Sequence, residues 1–214
     1  MTIVAITGTA TEKDLAAAFP AADIDRVLVR TVEEAEAHAD ADLYIDLDFV
    51  NTPDRKRSLS RLLPKPVLVN AVVSTHEQLG YPFIRINGWP GFLERPVHEL
   101  ALPGAADKAT INELYQKLGR ECRIVPDTPG MISARILATI INEAWFTREE
   151  EVSTKEEIDT AMRLGTNYPM GPFEWGERIG LENVAGLLTV LAQKNERYAP
   201  SASLLRAAKS LKYD

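Results

Sequence analysis

Four groups of residues in this chain are of types that do chemistry at their spacing. The first is Thr7-Gly8-Thr9-Ala10-Thr11, directly after the apolar run Ile3-Val4-Ala5-Ile6. A turn that closes a buried strand and opens a helix is where backbone amides cradle a phosphate. Gly8 stands alone in it, so the G-x-G-x-x-G spacing of a dinucleotide cradle is not met. Two readings follow: Thr9 and Thr11 assist Gly8 in holding a phosphate, or Thr11 with Asp14 simply starts a helix. The second group is Arg30, closing Val27-Leu28-Val29. A carboxylate at such a strand end would hold the ribose of NAD; an arginine suits the 2′-phosphate of NADP, or is a solvated surface residue. The third is histidine. His98 adjoins Glu99, but neighbours on a strand point to opposite faces, so the two form no dyad. His76, after Ser74-Thr75, reads as a surface or capping residue, and His38 as part of a polar helix. The fourth is the basic run Arg55-Lys56-Arg57 with Arg61 and Lys65, which reads either as a phosphate contact or as a solvated helix face balancing nearby acids. Three histidines and the single Cys122, none at ligand spacing, imply no metal site.

The elements that must position these groups change character along the chain. Apolar runs alternate with helical patterns in the first half: strands over Ile3 to Ile6, Val27 to Val29, Leu43 to Leu47, Pro66 to Val69, Phe83 to Ile86 and Val97 to Leu102. Helices are expected over Thr11 to Phe19, Val32 to His38 and Asp54 to Leu63, the last with Pro53 at its start. Continuous apolar strands between helices imply a doubly wound, mostly parallel α/β sheet. After Pro126 only helical periodicity remains. Ile132, Ile136, Leu137, Ile140, Ile141, Ala144 and Trp145 share one helical face. Ser153 and Thr154 each begin a capping box, Gly165 supplies a stop, Pro172 opens a helix that Gly180 ends, and Leu181 to Tyr198 gives one more. The expected domains are residues 1–126 and 127–214.

The chain has 214 residues and a net charge of −7, which suits a folded soluble protein and not a general nucleic-acid binder. No apolar run is long enough to span a membrane, and no basic region precedes the first apolar stretch, so neither a membrane span nor a signal peptide is expected. One cysteine allows no intrachain disulfide and implies a reducing, cytoplasmic setting; Cys122 itself reads as a small buried side chain.

The segment Asp127-Thr128-Pro129-Gly130-Met131 and the later Tyr168-Pro169-Met170-Gly171-Pro172-Phe173-Glu174 stand in an informative order. Between and after them lie Asn142-Glu143-Ala144, Ile158-Asp159-Thr160-Ala161-Met162, Leu164-Gly165 and Ile179-Gly180-Leu181. Together they resemble the C-terminal helical domain of the 3-hydroxyacyl-CoA dehydrogenase family. Each has a structural reason: Pro129 fixes the approach to a helix, Gly130 lets backbones close, and Asp159 sits on the polar side of a capped helix. The first half resembles the family more thinly. Val32-Glu33-Glu34-Ala35 with Ala41-Asp42-Leu43, Asn70-Ala71-Val72, Asn87-Gly88-Trp89-Pro90 and Pro96-Val97-His98-Glu99 fall where the family has corresponding stretches. The interval from Phe19 to Val32 is too short for the usual elements, so a strand–helix unit of the Rossmann-like domain is missing.

The resemblance implies NAD-dependent oxidation of a 3-hydroxyacyl-CoA, an acyl-CoA ligand and a homodimer through the helical domain. The family's reaction uses a histidine and a glutamate supported by a serine and an asparagine. On the flanking residues the histidine position holds Asn87, the glutamate position Glu99, the serine position Val72 or, with a small shift, Ser74, and the asparagine position Ala134. Asn87 cannot titrate, and loss of the base costs roughly a hundred- to ten-thousand-fold in rate. Trp89 and Trp175 line an acyl pocket or pack a core. The expectation is a degenerate family member with weak or no dehydrogenase activity that keeps an acyl-CoA-type cleft. Its site residues would be Glu99, Asn87 and Ser74, with Gly8, Thr9 and Arg30 toward NAD or NADP. The rivals are an active enzyme with rearranged residues and a dimerising module without ligand.

Overall fold

A computed structural model describes residues 1–104 and 106–210. The chain divides into two compact units, Met1–Met131 and Ile132–Asp214. In the first, strands β1 (Thr2–Ile6), β2 (Asp25–Val29), β3 (Leu43–Asp46), β4 (Val67–Val69), β5 (Ile84–Ile86), β6 (Val97–Ala101) and β7 (Glu121–Ile124) form one sheet in the order β2-β1-β3-β4-β5-β6-β7. Every neighbouring pair is parallel except β5–β6. The helices between are α1 (Glu12–Ala18), α2 (Val32–Glu36), α3 (Pro53–Ser60), α4 (His76–Leu79) and α5 (Lys108–Lys117). This is the doubly wound α/β sheet that the alternating runs imply. Alternate residues of β1 and β3 feed two cores: Ile3, Ala5, Leu43 and Ile45 on one face, Val4, Ile6 and Tyr44 on the other. Both faces are covered, which is why these strands are apolar throughout.

The strand order locates the shortened part. β2 lies beside β1 and ends the sheet, and the chain then crosses to β3 on the other side of β1. A full Rossmann half would carry a further strand beyond β2. Val27–Val29 thus belongs to the strand next to β1, and Arg30 follows its end. Arg26 and Arg120 tie down the C-terminal end of α1. Arg26 donates to the carbonyls of Phe19, Ala21 and Ile24, and Arg120 to those of Ala17 and Ala18.

The second unit holds α6 (Ser133–Glu149), α7 (Lys155–Thr166), α8 (Pro172–Ile179), α9 (Leu181–Ala192) and α10 (Ala202–Ser210). Several expectations change here. The buried stripe of α6 is Ala134, Ala138, Ile141, Asn142, Ala144 and Trp145, while Ile132 and Ile136 are exposed. The small residues face inward because they let α8, α9 and α10 pack closely around α6. α7 runs past Gly165 to Thr166, and Asn167 takes the left-handed cap at φ 56°. Thr154 alone caps its start; Ser153 instead donates to Glu157. α9 stops at Ala192, a 3₁₀ turn spans Glu196–Tyr198, and α10 follows. Asp159 is not on a polar face. It is buried and accepts the amides of Phe173 at 2.8 Å and Glu174 at 3.2 Å, capping α8 from a neighbouring helix. Gly171 is required beside it, since a Cβ there would lie 2.2 Å from the Asp159 carboxyl carbon.

Candidate functional site

Gly8, Thr9, Arg30, Ser74 and Asn87 follow the carboxyl ends of β1, β2, β4 and β5. Open α/β sheets bind ligands along this edge, at the point where strand order reverses. Here that point lies between β1 and β3. The turn after β1 is internally satisfied. The Gly8 amide donates to Asp48 Oδ2, the amides of Thr9 and Ala10 to Thr7 Oγ1 at 3.2 and 3.0 Å, and the Thr11 amide to Asp14 Oδ2 at 2.8 Å. Thr11 caps α1 in a full capping box, and its hydroxyl and amide hold the exposed Asp14 carboxyl below its usual range. The Thr9 amide thus serves the turn, and Thr11 is a cap. At the end of β2 the Arg30 amide donates to Glu34 Oε2 at 2.7 Å. At the end of β3, Asp46 is fully buried and pairs with Arg55 through two bonds of 2.7 and 2.8 Å. Burial raises the Asp46 carboxyl against the opposing pull of Arg55.

Asn87 and Glu99 come together. The antiparallel ladder pairs Ile86 with Leu100, and one step on the Asn87 amide donates to the Glu99 carbonyl at 3.2 Å. Directly opposed residues of an antiparallel pair project to one face, so both side chains share the face of Arg85 and Ala101. Asn87 is 3% exposed; its Oδ1 accepts the Trp89 amide at 3.4 Å, and its Nδ2 has no partner. The next residue, Gly88, is pinned by Asn70: its amide donates to Asn70 Oδ1 at 3.0 Å, and Asn70 Nδ2 donates to the Leu47 carbonyl at 3.0 Å. A Cβ at Gly88 would lie 2.9 Å from Asn70 Cγ, so only glycine passes here. Ser74, in the loop after β4, accepts from Asn51 Nδ2 at 3.0 Å. Val72 is buried, and its carbonyl accepts from Arg85 and from Gly130. Ala134 is buried on α6 and offers only a methyl group. Trp89 is buried against Phe92, and Trp175 is buried on α8.

The histidines and the basic run take structural places. His98 is buried between the rings of Phe19 and Tyr115, on the face opposite Glu99, and its Nε2 lies 2.8 Å from the Leu93 carbonyl. Burial pushes it down to about 4, so it is neutral and no base for chemistry at the edge. His76 departs from the surface role expected of it. Its Nδ1 is 3.2 Å from Asp127 and its Nε2 3.0 Å from the Phe83 carbonyl. His38 lies beyond the end of α2, where the Tyr44 hydroxyl donates to its carbonyl at 2.7 Å. Arg55 is committed to Asp46, Arg57 pairs with Asp54, Arg61 with Glu33 and Glu36, and Lys56 donates to the Gln78 carbonyl. The arginines of the run are thus committed to carboxylates nearby.

Two residues that sequence reasoning missed organise the edge. Asp48, just past β3 at the strand reversal, fills the Gly8 amide; a carboxylate directly after a strand end was its signal. Arg85 is completely buried and donates to the carbonyls of Ala71, Val72 and Thr128 and to the Asp127 carboxylate. Burial alone would raise the Asp127 carboxyl, but the His76 amide and the Arg85 guanidinium hold it below the usual range. An arginine inside the strand run Phe83 to Ile86 was the visible signal of a buried partner. Among the described residues no group of three or more His, Cys, Asp or Glu is placed to hold a metal, and no helix is long and apolar enough to cross a membrane. The helical unit carries an open cleft of 740 Å³ lined by interspersed charges such as Arg148, Glu149, Lys155 and Arg206; none of the expected catalytic or cofactor-binding residues lines it.

Comparison with known proteins bears on these placements. Residues 130–213 match the C-terminal domain of 3-hydroxyacyl-CoA dehydrogenase. The chain is 43% identical over 104 residues to 3-hydroxyadipyl-CoA dehydrogenase of Escherichia coli K12, covering 47% of this chain and 22% of that protein. It is 38% identical over 107 residues to 3-hydroxybutyryl-CoA dehydrogenase of Bradyrhizobium diazoefficiens, covering 48% of this chain and 36% of that protein. The aligned part is thus well under half of each of these relatives. The crystal structure of (S)-3-hydroxybutyryl-CoA dehydrogenase from Ralstonia eutropha superposes with a TM-score of 0.75 at 19% identity, covering 98% of this chain and 93% of that one. That likeness speaks for the fold, a Rossmann-like sheet followed by helices. The residue-level match lies in the helical part, where residues 130–213 resemble the C-terminal domain of 3-hydroxyacyl-CoA dehydrogenase.

Proposed function

We propose that this chain is a family member that has lost most or all of its dehydrogenase activity while keeping a cleft for an acyl-CoA-type ligand. The observation that carries this reading is the turn after β1. All four amides from Gly8 to Thr11 already donate within the chain, the first of them to the Asp48 carboxylate. A pyrophosphate needs free amides at that place and would meet a like charge instead. Arg30 stands where a ribose-binding carboxylate would serve NAD, and its position alone does not make a site for NADP. These residues do not fit a dinucleotide. At the end of β5, Asn87 stands at the position where the family resemblance would put a titratable base.

The cleft is argued from the family and from the strand edge, where Asn87 and Glu99 face the same side. Acyl-CoA esters name the relatives and are the ligand class proposed here. A homodimer through the helical unit is the proposed assembly, supported by the exposed apolar side chains of Val152 (66%) and Leu164 (82%) on or beside α7. The test combines acetoacetyl-CoA-dependent oxidation of NADH with calorimetric titration of NAD and NADP. The expected result is turnover at least a hundredfold below that of an active relative assayed in parallel, in the range set by loss of a general base, with no dinucleotide heat. Turnover at ordinary enzyme rates would overturn the proposal and favour the rearranged-site reading built on Ser74, Asn87 and Glu99.

A further inference from the structure

The sheet ends at β2, since the strand that a full Rossmann half would carry beyond it is missing, and the outer side of β2 is an open edge. The Asp25 amide donates to the Met1 carbonyl at 2.9 Å, and the Val29 carbonyl accepts the Thr7 amide at 2.9 Å. The odd-numbered residues of β2 thus turn their backbone groups toward β1. Successive residues of a strand alternate, so Arg26 and Leu28 turn theirs outward. On either side of this pair the edge is closed. The Ile24 carbonyl accepts from Arg26 Nη1 at 3.0 Å, and the Arg30 amide donates to Glu34 Oε2 at 2.7 Å. Among the described residues the amides and carbonyls of Arg26 and Leu28 have no ladder partner. Edge strands are commonly blunted by a charge, a proline or a bulge. Here the central cation does not serve that purpose, because the Arg26 guanidinium is turned back onto the carbonyls of Phe19, Ala21 and Ile24.

We infer that this edge is an interface between two copies of the chain, joined by antiparallel pairing of β2 with β2 about a two-fold axis at Val27. The open groups select this register. Centred on Val27, Arg26 of each copy faces Leu28 of the other, and the two facing pairs exchange hydrogen bonds that use every open group and no other. Centred on Arg26, the pairing needs Ile24, whose carbonyl is taken; centred on Leu28, it needs Arg30, whose amide is taken. A two-fold contact must be self-complementary, and open groups placed symmetrically about one residue meet that condition. An unrelated extended segment has no reason to match it. Charge agrees with the register: exposed Arg30 of each copy comes beside exposed Asp25 of the other, at both ends of the contact. The half-buried Val27 meets its own counterpart on one face of the extended sheet, and half-buried Leu28 lies on the other. This contact belongs to the sheet unit and is separate from the pairing proposed for the helical one.

The test is disulfide trapping in the full chain. In this register Val27 faces Val27 as a non-hydrogen-bonded pair, with Cα atoms about 4.5 Å apart, which is within disulfide reach. Leu28 lies diagonal to its own counterpart, beyond the limit of about 7 Å. With oxidised glutathione, Val27→Cys is expected to form linked dimers on a non-reducing gel at least about tenfold faster than Leu28→Cys. The unaltered chain, whose one cysteine is Cys122, is the blank. Equal trapping at the two positions, or none in Val27→Cys, overturns the inference. Hydrogen exchange of the unaltered chain is the second measurement. The amides of Arg26 and Leu28 should exchange about tenfold more slowly in associated protein than in monomer, as light scattering reports the two states. Rapid exchange of both amides at every concentration overturns the inference. Protection that persists in the monomer assigns the cover to something other than a second copy and overturns it as well. Should Val27→Cys fail to fold, exchange decides alone. A dimer through the helical unit only leaves Val27→Cys untrapped and both amides unprotected, so the two interfaces are told apart.

Discussion

In the helical unit the residues that match the family are held by packing. Asp159 caps α8, Gly171 and Gly176 leave room for Asp159 and Leu181, and Asn142 joins the Ala199 carbonyl to the Ser201 amide. In the sheet unit the residues of the strand edge are held just as firmly, by polar partners of their own. Asp48 fills the turn, and Asn87 lies opposite Glu99. The contrast teaches that the strongest sequence likeness here reports constraints of folding. A helical cap is specified by geometry alone and tolerates little change. The strand edge depends on pairs distant in sequence, such as Gly8 with Asp48, and the same strands can be closed by different polar partners.

Asp127 tests where this division runs, because it belongs to the family-like motif and yet serves the sheet unit. Replacing Arg85 with Met removes the charge but keeps most of the volume. It leaves the carboxylate of Asp127 and the carbonyls of Ala71, Val72 and Thr128 short of a donor. Breaking one side of a fully buried ion pair costs about 3–5 kcal/mol, and since the Asp127 side chain is 32% exposed the loss is expected at the lower end, about 3 kcal/mol. Urea denaturation should show a loss of that size, and hydrogen exchange should place it in β4, β5 and the residues around Asp127. A loss below about 1 kcal/mol, the level of an exposed pair, would mean that the motif is held from elsewhere.

The parts of this architecture that were legible in the sequence are those set by local pattern. Apolar runs such as Ile3 to Ile6 show the parallel sheet because both faces must be covered. Thr11, Thr154 and Pro172 show helix starts because their side chains or rings act within one turn. The unreadable parts depend on distant partners. Asp159 looks like a surface residue of α7 until α8 is placed on it, and the isoleucines of α6 look like a core until the alanines are seen to admit the neighbouring helices. At the candidate site, Asn87 and Glu99 were identified one at a time; only the antiparallel ladder sets them side by side. Asp48 escaped because nothing in sequence joins it to Gly8.

The sheet unit also carries a histidine-linked pH response, and the helical unit has no histidine. His98 is held neutral in the fold at about 4 against an ordinary 6.5, first by burial and despite its bond to the Leu93 carbonyl. The unfolded chain therefore binds a proton that the folded one refuses between these values. Stability is full above about pH 6.5, falls as pH drops toward 4 and levels below it, a loss of about 3 kcal/mol. Asp127, whose carboxyl is lowered, begins to contribute a loss only near the ordinary carboxylate range, so the upper part of the window belongs to His98. His98→Phe, which suits the niche between Phe19 and Tyr115, should flatten the slope between pH 6.5 and 5. An unchanged slope in that variant would assign the response elsewhere.

The smallest effect sharpens the claim about the helical unit. Gly171 precedes α8, and a methyl group there would press on the carboxyl of Asp159, which holds the amides of Phe173 and Glu174. Gly171→Ala should cost about 1–3 kcal/mol, the range for overfilling a packed site. Asp159→Ala should cost about 1–2 kcal/mol through the lost cap. The two changes share one space, so they should not add. Once Asp159 is shortened, the methyl has room, and Gly171→Ala in that background should cost only a few tenths of a kcal/mol. A thermal-melt cycle over the four proteins measures this coupling. Full additivity would show that Gly171 is needed for its own backbone and not for Asp159. The helical match would then rest on local conformation, and its contrast with the sheet unit would lose the packing argument that supports it.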